Sequence, residues 1–175
     1  MNFITNILNL IKGFFSRKKK KTTTIEVPVL YANIKNLSGR VYSLDNLKSI
    51  ISQSALKIEN KCFVGEMGHS EFSGVSLSRV SHIIDKMWID GDVLMAKITT
   101  SETENGLALA SLINNLGGVV FRPKGVGTLN PDGSISDDYM IVSINAITKE
   151  DDSFKGLVPE NIWYFNKRQV GLWWQ

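Results

Sequence analysis

Two residue types that often carry chemistry are scarce in this sequence of 175 residues. It contains one cysteine, Cys62, and two histidines, His69 and His82. A single cysteine excludes an internal disulfide and a cysteine-based zinc site. The two histidines have no carboxylate or histidine partners at the spacing of metal ligands, so we expect no bound metal and no cofactor. Any histidine chemistry must therefore use one or both of these residues.

The sequence also lacks a large excess of one charge. Its net charge is +3, and five of its 20 basic residues form a single run from Arg17 to Lys21. Without these five charges the net charge becomes −2. We therefore expect a near-neutral domain with one basic segment, not the basic face of a nucleic-acid-binding domain. Non-specific contact with DNA or an anionic membrane surface would use Arg17, Lys18, Lys19, Lys20 and Lys21.

Residues 1–16 predict an amphipathic helix. Apolar side chains recur at intervals of three and four residues, and polar side chains occupy the other face. The segment is too short and too often interrupted by polar residues to span a bilayer. It also lacks the early positive charge and the cleavage site of a secretory signal. The apolar residues that we expect to dock on a partner are Phe3, Ile7, Leu10 and Phe14.

Three functions fit this predicted helix. Its apolar stripe could dock into a groove of a partner protein, fold back on its own domain, or lie on an anionic membrane. Residues 17–24, the basic run followed by three threonines, form a linker between the helix and the rest of the chain. That linker favours docking on a partner.

From residue 25 to residue 156 the pattern is that of a mixed domain. The predicted strands cover residues 25–31, 61–65, 80–88, 93–99, 119–121 and 139–147, and the predicted helices cover residues 44–51 and 105–116. Residues 89–92 predict a hairpin turn, and residues 129–134 predict another turn. We therefore expect an α+β fold, with a mostly antiparallel, barrel-like β domain and inserted helices.

The last segment, residues 157–175, is rich in aromatic side chains. It contains Trp163, Trp173 and Trp174, which are three of the four tryptophans in the chain. Aromatic residues at this density bury against another surface. Two surfaces fit, the chain's own domain and a subunit contact.

His69 ends a predicted strand and is followed by a loop rich in serine and glycine, where general bases often sit. His82 lies within a predicted strand. On spacing alone, a histidine at either position is more often structural than catalytic. Gly125 and Gly127 follow another predicted strand, and backbone amides there either bind an anion or form a turn.

Five short motifs follow one another in a recognisable order. They are Gly65–His69, Arg79–Ile84, Met87–Asp92, Asn105–Leu107 and Lys124–Leu129. Together with Gly39–Tyr42 upstream, they resemble the prohead core proteases of tailed bacteriophages over roughly residues 26–155. Those proteins are serine endopeptidases with the herpesvirus assemblin-like fold, so the resemblance implies that fold for this domain.

The resemblance assigns roles to individual positions. The family's catalytic base, the histidine of its GE-x-x-H motif, falls on His69. The family's nucleophile is a serine, and the two serine positions of its motif fall on Arg122 and Pro123. Its aspartate in a late strand falls on Asn145, and His82 is an alternative third member. The oxyanion-type loop falls on Lys124, Gly125 and Gly127.

Two of these positions depart from the family. Acyl transfer needs a hydroxyl or thiol beside the base, and Arg122 and Pro123 have neither. Asparagine in place of the triad aspartate lowers the rate by about four orders of magnitude. We therefore expect a pseudoenzyme, although a relocated nucleophile would restore activity. The candidate hydroxyls are those of Ser70, Ser73, Ser76, Ser78, Ser81 and Thr128.

The expected function follows from the resemblance and from the missing serine. The protein would act in phage head assembly as a scaffold, core or structural virion component. Its partners would be capsid, scaffold or portal proteins, in a homo- or hetero-oligomer. It would reside in the prohead or virion, and in the host cytoplasm during assembly. The alternative is an active serine-type endopeptidase that processes capsid and scaffold proteins during head maturation.

Overall fold

The computed structural model describes residues 21–69 and 73–158. The predicted N-terminal helix with Phe3, Ile7, Leu10 and Phe14 lies outside these residues. So do residues 17–20 of the basic run and the aromatic residues of the C-terminal segment.

Six strands in the described residues form two antiparallel sheets. The first sheet contains, in spatial order, β1 (Thr24–Tyr31), β4 (Val93–Thr100), β3 (Val80–Asp90) and β2 (Val64–Glu66). The second sheet pairs β5 (Val119–Val126) with β6 (Met140–Thr148). The β3–β4 hairpin turns at Gly91, whose φ of +59° suits glycine, so the predicted turn over residues 89–92 is confirmed.

Two helices pack against the sheets. They are α1 (Leu44–Glu59) and α2 (Glu104–Ser111), and α2 continues into a turn of π-helix, Leu112–Leu116. Ser43 begins α1 with a capping box, because its hydroxyl accepts from the Asn46 N–H and its own N–H donates to the Asn46 side chain. Thr103 caps α2 by accepting from the Gly106 N–H. No helix in the described residues is long and apolar enough to cross a bilayer.

The expected α+β class is confirmed, but the six strands in the described part of the chain do not close into a barrel. β2 meets β6 at a single parallel bridge, between Met67 and Ala146, where the Gly68 N–H donates to the Ala146 carbonyl over 2.7 Å. The reason is local: β2 ends after three residues, and Gly68 then takes a φ of +78° that turns the chain.

One apolar core joins all of these elements. The fully buried residues that build it include Val29, Leu47, Ile50, Ile84, Leu94, Leu109, Ile144 and Phe154. α1 contacts β3 and β6, whereas α2 contacts β3 and β4. This core holds the ends of β2, β5 and β6 together, and the candidate site lies where those ends meet.

Candidate functional site

A cleft of about 220 Å³ brings together six of the residues that the resemblance assigned to a site. They are His69, Arg122, Pro123, Lys124, Gly125 and Asn145. Arg122 and Asn145 are paired across β5 and β6, and His69 reaches them because β2 contacts β6. We call this space the polar cleft; Arg40, Tyr139 and Ile147 complete its described lining.

His69 presents an exposed side chain at the polar cleft, and its backbone is anchored. The Arg79 guanidinium donates to the carbonyls of Met67 and His69 through Nη2, over 2.6 and 2.8 Å. Gly68, between them, has a φ of +78° that disfavours a residue with a side chain, and a Cβ there would also displace the same Nη2, 2.8 Å away. The loop therefore holds the His69 backbone in place and leaves its imidazole open to a ligand.

Glu66 is a central residue of the site, although the sequence motifs did not assign it a role. Its side chain is fully buried and accepts three hydrogen bonds, from the Ser76 N–H, from Lys124 Nζ at 3.5 Å and from Asn145 Nδ2 at 3.4 Å. Lys124 Nζ also donates to the Gly74 carbonyl over 2.7 Å. Glu66 and Lys124 thereby fasten the loop around residues 74–76 to β5. A buried carboxylate is stable only with such partners.

Asn145 is bound to the same network from both ends of its amide. Its Oδ1 accepts from the Glu66 N–H over 3.3 Å and from Ser143 Oγ over 2.8 Å. Its Nδ2 donates to Glu66 Oε2 and to the Gly68 carbonyl, each over 3.4 Å. Within the described residues, none of these bonds goes to the His69 imidazole. An aspartate at this position would put a second carboxylate beside buried Glu66, whereas the Asn145 amide donates to that carboxylate.

Arg122 borders the polar cleft, but its guanidinium group is bound in the core. Nε and Nη2 donate to the two carboxylate oxygens of Asp152 over 2.6 and 2.9 Å, which is a bidentate pair. Nη1 donates to the carbonyls of Pro28 and Phe121 over 3.2 and 2.8 Å. Arg122 and Asp152 are 6% and 2% exposed, so this side chain is a structural element of the core.

Gly125 lies near the end of β5 and Gly127 follows the strand, and the two glycines have different surroundings. Gly125 lines the polar cleft, and a Cβ there would overlap the Tyr139 ring and come within 2.6 Å of the Met140 carbonyl. Gly127 packs against the Tyr139 backbone and is not part of the described lining. Tyr139 carries the only hydroxyl in that lining, and burial, with a smaller effect of Tyr42, raises its pKa well above the usual range. Tyr139 is therefore poorly suited to act as a nucleophile.

His82 lies in the core and does not line the polar cleft. Its Nε2 lies 2.9 Å from the Ile144 carbonyl and its Nδ1 lies 2.9 Å from Ser81 Oγ. Because a carbonyl only accepts, we assign the proton to Nε2. Burial lowers the pKa of His82 to about 4, so the ring is neutral at physiological pH. Gly65 is required beside it, because a Cβ there would overlap the imidazole.

The candidate relocated hydroxyls are engaged elsewhere or lie outside the described residues. Thr128 Oγ1 donates to Asp138 over 2.7 Å, Ser76 and Ser78 share a hydrogen bond of 3.0 Å, and Ser81 is buried against His82. Ser70 is outside the described residues, and Ser73 is not part of the cleft lining. The described residues also contain no group of three or more His, Cys, Asp or Glu side chains that could hold a metal ion.

Comparison with known proteins shows the fold. No protein-family model matches the sequence, and no curated protein sequence is significantly similar. Among solved structures, the chain is similar to the bacteriophage T4 capsid assembly protease, gp21, with a TM-score of 0.64. The two are 20% identical, over 71% of this chain and 80% of that chain. The expected phage prohead-protease-like fold is therefore confirmed.

Proposed function

We propose that the protein acts in phage head assembly as a subunit with a prohead-protease fold that does not cleave peptide bonds. The similarity of its fold to a phage capsid assembly protease supports the first part of this proposal. The second part is supported by the chemistry of the polar cleft. In this role the protein provides a binding surface for capsid, scaffold or portal proteins and does not catalyse a reaction.

One observation carries the proposal of inactivity. At the β5 positions to which the resemblance assigns the nucleophile, the chain has Arg122, whose guanidinium is paired with Asp152, and Pro123. Neither side chain can attack a carbonyl carbon. The described lining of the polar cleft offers only the hydroxyl of Tyr139, whose pKa is raised by burial. Covalent catalysis needs an activated hydroxyl or thiol beside the base, and this lining does not provide one.

The surroundings of His69 support the same proposal. A triad needs a third group that orients the imidazole and stabilises its charged form. Glu66, three residues before His69, is buried and is used by Ser76, Lys124 and Asn145. The amide of Asn145 is used by Glu66, Gly68 and Ser143. These groups bond to one another and to the neighbouring loop, and none of the hydrogen bonds named here goes to the His69 imidazole.

A second candidate function is the active endopeptidase with a relocated nucleophile. The observation that favours it is the exposed His69 imidazole at a cleft that also contains the backbone of Gly125. The two candidates differ in whether His69 is required for turnover of a head protein.

The test is co-expression with the capsid, scaffold and portal proteins of the same phage, followed by affinity purification and intact-mass measurement. We expect the protein to be recovered with at least one head protein, and every head protein to keep its full mass. His69→Ala should change neither result. Lys86→Ala, an exposed position on β3, is the matched control. Cleavage that disappears in His69→Ala would establish the endopeptidase, and recovery with no head protein would contradict the assembly role.

A further inference from the structure

A larger cleft lies beside the polar cleft and is mostly apolar. Its volume is about 380 Å³, and its apolar side chains include Met67, Leu109, Leu112, Val119, Ala146 and Ile147. We call it the apolar cleft. Ile147 also lines the polar cleft, so the two are neighbours. A volume in the range of about 300–1,000 Å³ is typical of ligand pockets, so this space admits side chains but not a whole helix.

One side of the apolar cleft carries negative charge. Glu150 and Asp151 belong to its lining and are exposed. Lys149, which precedes them, is not part of the lining. An apolar floor with an acidic side is suited to an amphipathic segment that has basic residues at one end.

The described chain begins next to this cleft. Asn114 Nδ2 donates to Thr23 Oγ1 over 2.8 Å, and Thr23 and Thr100 exchange two further hydrogen bonds of 2.9 Å. Asn114 belongs to the same π-turn as Leu112, which lines the apolar cleft. Residues 1–20 therefore precede a strand whose start is held by the same turn that contributes Leu112 to the cleft.

We propose that the predicted N-terminal helix, residues 1–16, docks its apolar stripe in the apolar cleft of the same chain. Residues 17–22 span at most about 22 Å when extended, and the stripe from Phe3 to Phe14 is about 17 Å long as a helix. The stripe can therefore reach a cleft lined by Leu112, which belongs to the π-turn that Thr23 contacts through Asn114. The basic residues from Arg17 to Lys20 then lie along the carboxylates of Glu150 and Asp151. This proposal holds whether or not the protein cleaves peptide bonds.

Disulfide trapping in the full-length chain tests the proposal. In a Cys62→Ser background, which removes the one exposed thiol, we would combine Leu10→Cys with Thr148→Cys, an exposed position of the apolar cleft. A disulfide needs Cβ atoms about 3.5–4.5 Å apart, so we expect this pair to close within one chain at least about tenfold faster than control pairs. The controls are Asn9→Cys with Thr148→Cys, on the polar face, and Leu10→Cys with Leu56→Cys, an exposed position on α1.

Two results would overturn the proposal. One is equal rates for the three pairs, and the other is a product made of disulfide-linked dimers whose yield falls on dilution, which would place the stripe on a second copy. Hydrogen exchange gives an independent readout without new cysteines. We expect faster exchange over residues 109–119 in Leu10→Asp and no change in Asn9→Asp. Unchanged exchange in Leu10→Asp would equally contradict intramolecular docking.

Discussion

Arg122 and Asp152 form a bidentate ion pair in the core, with nitrogen–oxygen distances of 2.6 and 2.9 Å. The guanidinium also lies 5.7 Å from the Tyr31 ring and 5.3 Å from the Phe154 ring. This pair occupies a β5 position that the resemblance assigned to a nucleophile. Arg122 is therefore part of the structural core, and a serine at this position would remove that support.

The first prediction concerns that ion pair. Arg122→Ser leaves the Asp152 carboxylate buried without its partner, which costs about 3–5 kcal/mol of unfolding free energy. Pro123→Ser is the matched control, since it adds a hydroxyl at the next position and keeps the pair; we expect a change within about 1 kcal/mol. Urea denaturation of both variants checks this. Equal stabilities would show that the pair is not structural.

The second prediction concerns Glu66. Glu66→Gln removes the charge that Lys124 pairs with and replaces an acceptor by an amide donor facing Asn145. We expect a loss of about 1–3 kcal/mol, because buried polar groups lose partners, together with faster hydrogen exchange over residues 73–79. Asp45→Asn, which breaks the exposed pair with Lys48, should cost less than about 0.5 kcal/mol. If the two substitutions cost the same, Glu66 does not fasten the loop.

The third prediction concerns repulsion between the Glu66 carboxylate and a carboxylate placed at position 145. Asn145→Asp brings two buried carboxylates together, which raises the pKa of the pair in the folded state. A folded pKa above the unfolded one means that stability is lost as pH rises, so the variant should be less stable than the native protein at pH 7.5 and approach it near pH 5. Urea denaturation at both pH values measures this. A deficit that is independent of pH would contradict the explanation.

The fourth prediction concerns His82, whose pKa falls from 6.5 to about 4 on folding. Below pH 6.5, His82 binds a proton in the unfolded chain but stays neutral in the folded protein. The contribution of neutral His82 to the free energy of unfolding is therefore present above pH 6.5 and is lost as the pH falls toward 4. The loss is about 3 kcal/mol at most. His82→Gln keeps a donor for the Ile144 carbonyl and should remove this slope. A slope of the same size in His82→Gln would assign it to other groups.

The fold could be predicted from the sequence where local pattern decides. The β3–β4 hairpin has alternating strands around Gly91, and both helices have capping residues that the sequence shows directly. β5 was predicted too short because Pro123 and Gly125 interrupt the strand pattern. Gly125 is there because Tyr139 leaves no room for a Cβ, and that contact depends on the tertiary structure. α1 runs to Glu59, beyond its predicted end. In its second half only Ser54 and Ile58 are buried or half-buried, so the sequence pattern there is too weak to predict a helix.

The site could also be predicted only in part, because some of its contacts depend on the tertiary structure. Six of the assigned residues meet at the polar cleft because β2 contacts β6 and β6 pairs with β5, whereas His82 and Gly127 lie outside its lining. The partners of Arg122 and Glu66 could not be read from the sequence. Asp152 lies 30 residues after Arg122 and Asn145 lies 79 residues after Glu66, and these pairs form only when the sheets pack.

An active-site probe distinguishes the proposed inactive subunit from an active serine endopeptidase. The full-length protein, alone and together with its capsid and scaffold proteins, would be treated with a serine-reactive phosphonate and measured by intact mass. We expect no adduct on the protein and no truncated head protein. A stoichiometric adduct that is lost in His69→Ala, or a head-protein fragment that requires His69, would contradict it.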